Sequence, residues 1–298
     1  MLKKIFYTMT ICLCALVLPA HAAHAHSLWV NLFESNLHEP GHVLTSIGWG
    51  HFSPIDDLLS SPTASVNIDR YYLTAPDGTE VKLPIPKSSV KTATETPYAD
   101  IVTGDIGVRK IVLKKDSPQG TYQVSATSKV GFFTRYKDKT GKMRMAAKPM
   151  DQIKDAGEVL ESLRYSMNAK AFYSIGKWTK PKPSGFDLEI IPERSLSNVR
   201  KGEMVSFDVS FMGKPVNTDS NTINYMTLTS DTFGGPDGFF LSAYIMNGKA
   251  EFRIPTAGHW VANVYIVQDT SPKGPLSELA KKCGKVFSCA TVSFTAKP

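Results

Sequence analysis

From Leu28 onward the chain repeats one pattern: short runs with apolar residues at every second position, separated by turn residues. Leu28, Val30 and Leu32 alternate with Trp29, Asn31 and Phe33. Val43, Thr45, Ile47 and Trp49 alternate with small or polar residues. A period of two is the repeat of extended chain, because successive side chains point to opposite faces. VNIDRYYL leads into the turn APDG (75–78) and then TEVKLPI, and KIVLKK and TYQVSATSKVGFFTRY follow. A meander of short strands with turn chemistry between them points to an all-β chain built as a β-sandwich.

One stretch departs from this period. Within 151–173, Ile153, Val159, Leu160, Leu163, Met167 and Ala171 recur at mixed three- and four-residue spacing. That spacing predicts one face of a helix. TKPKPSG (179–185) then breaks regular structure, since two prolines two apart suit a linker. After it strand patterns resume, from DLEIIPE to CATVSFTA, with GGPDG and NG as turns. The expected architecture is two Ig-like β-sandwich domains, 26–178 with the helical segment and 186–298.

The first 25 residues read as a secretory signal. Lys3 and Lys4 precede an apolar stretch over 5–18, which is shorter than the ~20 residues a membrane-spanning helix needs. Two small-x-small cleavage sites follow, Ala20-His21-Ala22 and Ala23-His24-Ala25. Cys12 and Cys14 lie in the leader without the small residue that a lipid-attachment site requires. No later segment is long and apolar enough to cross a bilayer. A soluble, exported product is expected, periplasmic in a bacterium. The net charge of +7 is spread along the chain, and the absence of a dense Lys/Arg stripe with interleaved aromatics argues against nucleic acid. Cys283 and Cys289, in CGKVFSC, are expected to form a local disulfide, with a thiolate metal site as the competing reading.

The histidines carry the chemistry. The chain has seven, and His21, His24 and His26 stand together in AHAAHAH. If the first two strands form a hairpin symmetric about its loop, Leu28 faces Trp49, Val30 faces Ile47 and Leu32 faces Thr45. The same register sets His26 opposite His51, with Cβ atoms ~4.5–5.5 Å apart. Two imidazoles so placed can share a metal ion at ~2.0–2.1 Å from each nitrogen. A one-residue slip would break the pair. Cleavage after Ala25 would make His26 the first residue, and its α-amine and Nδ1 would chelate the same ion. With His51 that makes three nitrogens, a set suited to Cu(II), Ni(II) or Zn(II). Cleavage after Ala22 would keep His24 and His26 near the terminus, and cleavage after Ala23 would make His26 the third residue.

The same residues also have ordinary readings. His26 and His51 could be strand-end residues. His38 and His42, near Glu39 in the hairpin loop, make a second, weaker site or a solvated one. Asp56 and Asp57 offer an oxygen ligand, or serve the turn in which they stand. His259, in GHW, reads as structural. No nucleophile elbow, P-loop or dinucleotide fingerprint is present, so no enzyme is expected.

AHSLWVNLFES, followed by EPGHVLTSIGWGHFSPIDDLL, resembles the DUF4198 proteins, described as CbiK-like periplasmic components of nickel/cobalt transport. GTYQVSATSKVGFFTRYKDKTGK, DLEIIPERSLSNVRKGEMVSFDVSFMGKPV and NGKAEFRIPTAGHWVANV extend the likeness over most of the chain. The resemblance implies a periplasmic β-sandwich protein that binds a divalent transition metal, nickel or cobalt before copper or zinc. It implies a membrane metal transporter, of ABC or ECF type, as the partner. Only His26 and His51 carry over as ligands, since they match the leader junction and the GWGH segment. Two other readings stand beside it: an Ig-like structural or adhesive module binding protein or glycan, and a copper redox enzyme.

Overall fold

The computed structural model describes residues 26–35, 41–60, 65–87, 91–219, 222–234, 239–274 and 276–298. His24 and His38 lie outside them, as does the leader. The chain is all-β. Its first half holds β1 (Ser27–Ser35), β2 (His42–Gly50), β3 (Ile68–Thr74), β4 (Glu80–Lys82), β5 (Lys91–Glu95), β6 (Asp100–Thr103), β7 (Arg109–Val112), β8 (Gly120–Ser128), β9 (Gly131–Asp138), β10 (Met143–Ala146) and β11 (Ala156–Ile175). The second half holds β12 (Leu188–Pro192), β13 (Met204–Phe211), β14 (Lys214–Pro215), β15 (Tyr225–Ser230), β16 (Leu241–Tyr244), β17 (Lys249–Arg253), β18 (Gly258–Asp269) and β19 (Lys285–Ala296).

The frame is one ten-stranded sheet, ordered β16-β15-β18-β19-β11-β8-β3-β4, with β9 paired to β11 and β10 to β9. β11 joins the two halves of the chain, lying antiparallel to β8 and parallel to β19. The sheet therefore runs unbroken across the proline-rich segment at 179–185. The sheet β1-β2-β7 and the sheet β12-β13-β14, with β17 on β13, stand apart from it.

The two small sheets cover opposite faces of the large one, and the alternation along β11 and β19 shows how. Ala169, Ala171 and Tyr173 of β11 pack in a core with Leu28, Val30, Ile47, Trp49 and Tyr71. Phe172, between them, packs in a second core with Leu188, Phe207, Met226 and Trp260. On β19, Ala290, Val292 and Phe294 enter that second core. The residues between them hold β1: Thr291 Oγ1 donates to the Leu28 carbonyl at 2.6 Å, and Ser293 Oγ donates to the Val30 carbonyl.

The expected helix at 151–173 is not formed. A short 3-10 turn spans Met150–Gln152, a turn follows at 154–155, and from Ala156 on the chain is the twenty-residue strand β11. Leu163, Met167 and Ala171 are four apart, and four is even, so a strand also sets them on one face. Leu160 falls where the β11–β9 register shifts, between Val159 and Glu161, and is exposed. The periodicity thus had two solutions, and pairing to β8, β9 and β19 selects the strand.

The expected disulfide is not formed either: Cys283 and Cys289 are free and buried. From Lys285 to Cys289 the chain is extended strand, and at ~3.3 Å per residue that covers about 13 Å. A disulfide holds its Cα atoms within about 6.8 Å. Each thiol has a local acceptor instead, the Leu279 carbonyl for Cys283 and Asn263 Oδ1 for Cys289. Burial pushes the Cys289 thiol up to about 12.

On the face of β11 that carries Phe172 lies a buried ion pair. Lys170 of β11 is 1% exposed, and its ammonium meets Glu189 Oε2 of β12. Glu189 Oε1 accepts the backbone N–H groups of Ser184 and Phe186 at 2.8 and 2.9 Å. The pair thereby ties the end of the proline-rich segment to the large sheet. Removing one partner leaves a buried charge uncompensated, a cost of about 3–5 kcal/mol, whereas replacing both with apolar residues is close to neutral. Urea unfolding is therefore expected to show Lys170→Met destabilised by that amount and Lys170→Met/Glu189→Gln, which removes the unpaired charge but keeps an acceptor for the two N–H groups, partly restored.

Candidate metal-binding site

β1 and β2 pair in the register expected from their patterning: Leu28 with Trp49, Val30 with Ile47, Leu32 with Thr45. The last pair is Ser27 with Gly50, so His26 and His51 are the next residues out. Their rings lie side by side, with centroids 4.3 Å apart and planes at 49°. His26 also stacks on Trp49, at 5.1 Å and 20°. Lost hydration lowers the His26 pKa, and the neighbouring His51 lowers it further, while Asp57 and Asp56 raise it. The His26 imidazole is thus biased to the neutral form, the form that binds metal.

The two glycines of GWGH make the geometry. Gly48 stands opposite Trp29, and a Cβ there would fall 1.9 Å from Trp29 Nε1. The indole crosses β2 through this gap and donates from Nε1 to the Pro54 carbonyl at 2.9 Å. Asn31 Nδ2 donates to the same carbonyl at 2.8 Å. Gly50 has φ +129°, and a Cβ there would meet Asp56 Oδ2 at 2.3 Å. Together these contacts fold 51–57 back against the hairpin end.

That loop brings Asp56 to His51. Asp56 Oδ2 accepts the His51 backbone N–H at 2.7 Å and lies 3.5 Å from His51 Nδ1. A carboxylate beside Nδ1 is the kind of partner that orients a metal-bound histidine. Asp57 is used differently. Its N–H donates to the Trp49 carbonyl at 3.1 Å, and its Oδ1 accepts from the Leu58 N–H at 2.7 Å. Asp56 thus sets its carboxylate beside His51, and Asp57 acts through its charge on His26. The His51 and Asp56 side chains are each 29% exposed, so the site is open to solvent. Among the described residues, no three His, Cys, Asp or Glu side chains form a metal-binding group.

The other histidines stand elsewhere. His42 begins β2 and His51 follows its end, which at ~3.3 Å per residue sets them roughly 30 Å apart. His259 is 5% exposed, near Phe33, with neither ring nitrogen hydrogen-bonded. Burial lowers its pKa to about 4. Its unfolded value is about 6.5, so the unfolded chain takes up the proton first. Stability is full at neutral pH and falls as pH drops from about 6.5 to 4, by roughly 3 kcal/mol. In urea titrations at pH 7 and pH 4, His259→Leu is expected to lose that much less stability than the parent chain.

No curated protein matches the chain. Among solved structures it is similar to the FN1-FN3 domains of chicken CNTN1, at 10% identity, with a TM-score of 0.21 and 90% of this chain covered. The chain spans just under two thirds of that structure, 66%, and so low a score carries no argument about fold or function. One family model matches most of the chain: residues 23–268 match the domain of unknown function DUF4198, beginning ahead of His26 and ending within β18, and the protein belongs to that family.

Proposed function

We propose that the protein is an exported metal-binding protein that captures a divalent transition-metal ion and supplies a membrane uptake transporter. The observation that carries this reading is the pair of imidazoles, His26 and His51, at the open end of the β1–β2 hairpin. A centroid separation of 4.3 Å suits two ring nitrogens bound to one ion at ~2.0–2.1 Å. Asp56, 3.5 Å from His51 Nδ1, would help orient that ring. The third ligand in this reading is the α-amine of His26, freed by cleavage after Ala25. Nitrogen-rich sets of this kind suit Ni(II), Co(II), Cu(II) and Zn(II). The CbiK-like likeness of the sequence favours nickel or cobalt, a periplasmic location and a transporter of ABC or ECF type as the partner. In this reading the two cores belong to two Ig-like sandwich units that share the large sheet, and the protein has no catalytic role.

A binding module for protein or glycan is the second reading, and one feature favours it. Tyr244 and Tyr265 are 63% and 45% exposed on neighbouring parts of the large sheet, and Tyr265 shares a hydroxyl–hydroxyl hydrogen bond of 2.9 Å with Tyr225. Exposed tyrosines on a flat sheet suit adhesive contact. That module would keep its activity in His26→Ala and His51→Ala.

Because Trp49 stacks on His26, its fluorescence reports occupancy directly. Titration of the mature chain with Ni(II), Co(II), Cu(II) and Zn(II) is expected to give saturable quenching with Kd below ~10 µM for at least one ion. Asp56→Ala should weaken it by ~10–100-fold, the usual effect of losing a group that orients a ligand. His51→Ala should weaken it further. Binding unaffected by His51→Ala would overturn the assignment.

A further inference from the structure

The course of β1 over the large sheet sets two sulfur-bearing residues level with His26. Thr291 Oγ1 donates to the Leu28 carbonyl, and Ser293 Oγ, two residues on, donates to the Val30 carbonyl, also two residues on. Thr291 and Ser293 pair in turn with Ala169 and Ala171 of β11. At the far end of β1, Glu34 lines one cavity with Tyr173, Ser174, Ile175 and Gly176, which keeps the same offset between β1 and β11. The two strands therefore advance together, residue for residue. His26 stands two residues before Leu28. Met167 and Cys289, themselves a pair, stand two residues before Ala169 and Thr291.

Alternation then gives each side chain its direction. His26 has the parity of Leu28 and Val30, which face the core between the hairpin and the large sheet, and it stacks on Trp49 of that core. Met167 has the parity of Ala169 and Ala171, and it packs against the same core from the large sheet. Facing sheets lie about 10 Å apart, a gap that an imidazole from one side and a methionine side chain from the other can span together. Met167 is partly buried, so its thioether is not sealed off from the open end of the hairpin.

The two sulfurs differ in what already holds them. Cys289 is buried, and its Sγ is on Asn263 Oδ1 at 3.5 Å. Met167 is held through its backbone, whose N–H donates to Ser128 Oγ at 3.0 Å. Among the described residues, no third His, Cys, Asp or Glu completes a metal-binding group with the imidazole pair. A thioether is a ligand of another kind.

We propose that the Met167 thioether is a further ligand of the ion held by His26 and His51, and that this ion is copper, bound as Cu(I). The inference rests on the imidazole pair being a metal site. Imidazole suits copper, nickel and zinc alike, so two imidazoles leave the choice among them open. Thioether sulfur is soft and selects Cu(I). Added to the pair, it decides for copper.

The test is competition for Cu(I) between the mature chain and bathocuproine disulfonate, under excess ascorbate without oxygen, beside a Ni(II) titration followed by Trp49 fluorescence. Met167→Leu keeps the volume and apolar character of the site, so the core tolerates it. It is expected to weaken Cu(I) binding at least tenfold and to leave any Ni(II) binding unchanged. Copper X-ray absorption of the Cu(I)-loaded chain is expected to show a sulfur neighbour that persists in Cys289→Ser and is lost in Met167→Leu. Unchanged Cu(I) affinity in Met167→Leu, with binding still lost in His51→Ala, would overturn the proposal and leave the imidazole site standing. Equal loss of Cu(I) and Ni(II) binding in Met167→Leu, or a sulfur neighbour lost in Cys289→Ser, would also overturn it. A parent chain that binds neither ion would overturn the proposal and the imidazole site together.

Discussion

The register of β1 against β2 is the constraint on which the rest of the structure depends. Side chains alternate faces along a strand, so a slip of one residue would exchange the buried and exposed sets of both strands. Leu28, Val30, Ile47 and Trp49 would leave the core, and His26 would lose His51 as its neighbour. The register is held from below as well as across. Thr291 and Ser293 of β19 bond to the Leu28 and Val30 carbonyls, and Asn263 Nδ2 of β18 donates to Ser27 Oγ at 2.9 Å. Strands from the far end of the chain thus fix where β1 begins, one residue from His26.

That arrangement joins what the sequence divides. The proline-rich stretch at 179–185 looks like a boundary, yet β11 before it pairs with β19 after it along nine residues. Each strand then serves two cores through its two faces. A strand buried on both sides loses its alternation of apolar and polar residues, and this explains why β11 was readable as a helix. Leu163, Met167 and Ala171 keep a four-residue spacing that is common to helix and strand. Pairing partners distant in sequence decide such a case, and no window of the sequence contains them.

The hairpin was legible because its information is local. Two alternating segments flank one loop, and matching their apolar residues leaves one register. The placement of His26 beside His51 follows from it. The roles of Asp56 and Asp57 were not legible, because adjacent aspartates in one turn look alike. They are separated by contacts made across space: Trp29 and Asn31 draw in the Pro54 carbonyl, and Gly50 leaves the room that the Asp56 carboxylate fills. The glycines of GWGH were visible as a motif, but their work depends on Trp29 and Asp56. The cysteines misled for a related reason. Close spacing in sequence becomes distance when the intervening residues are strand.

The central claim is that His26 and His51 hold one metal ion, with the amino terminus of the mature chain as the third ligand. Intact-mass spectrometry of protein purified from its native compartment tests it most directly, since the denatured mass fixes the first residue and the native mass counts bound metal. The account predicts a chain that starts at His26 and carries one metal ion, which is lost in His51→Ala. A metal-free chain that also refuses added Ni(II), Co(II), Cu(II) and Zn(II) would contradict it.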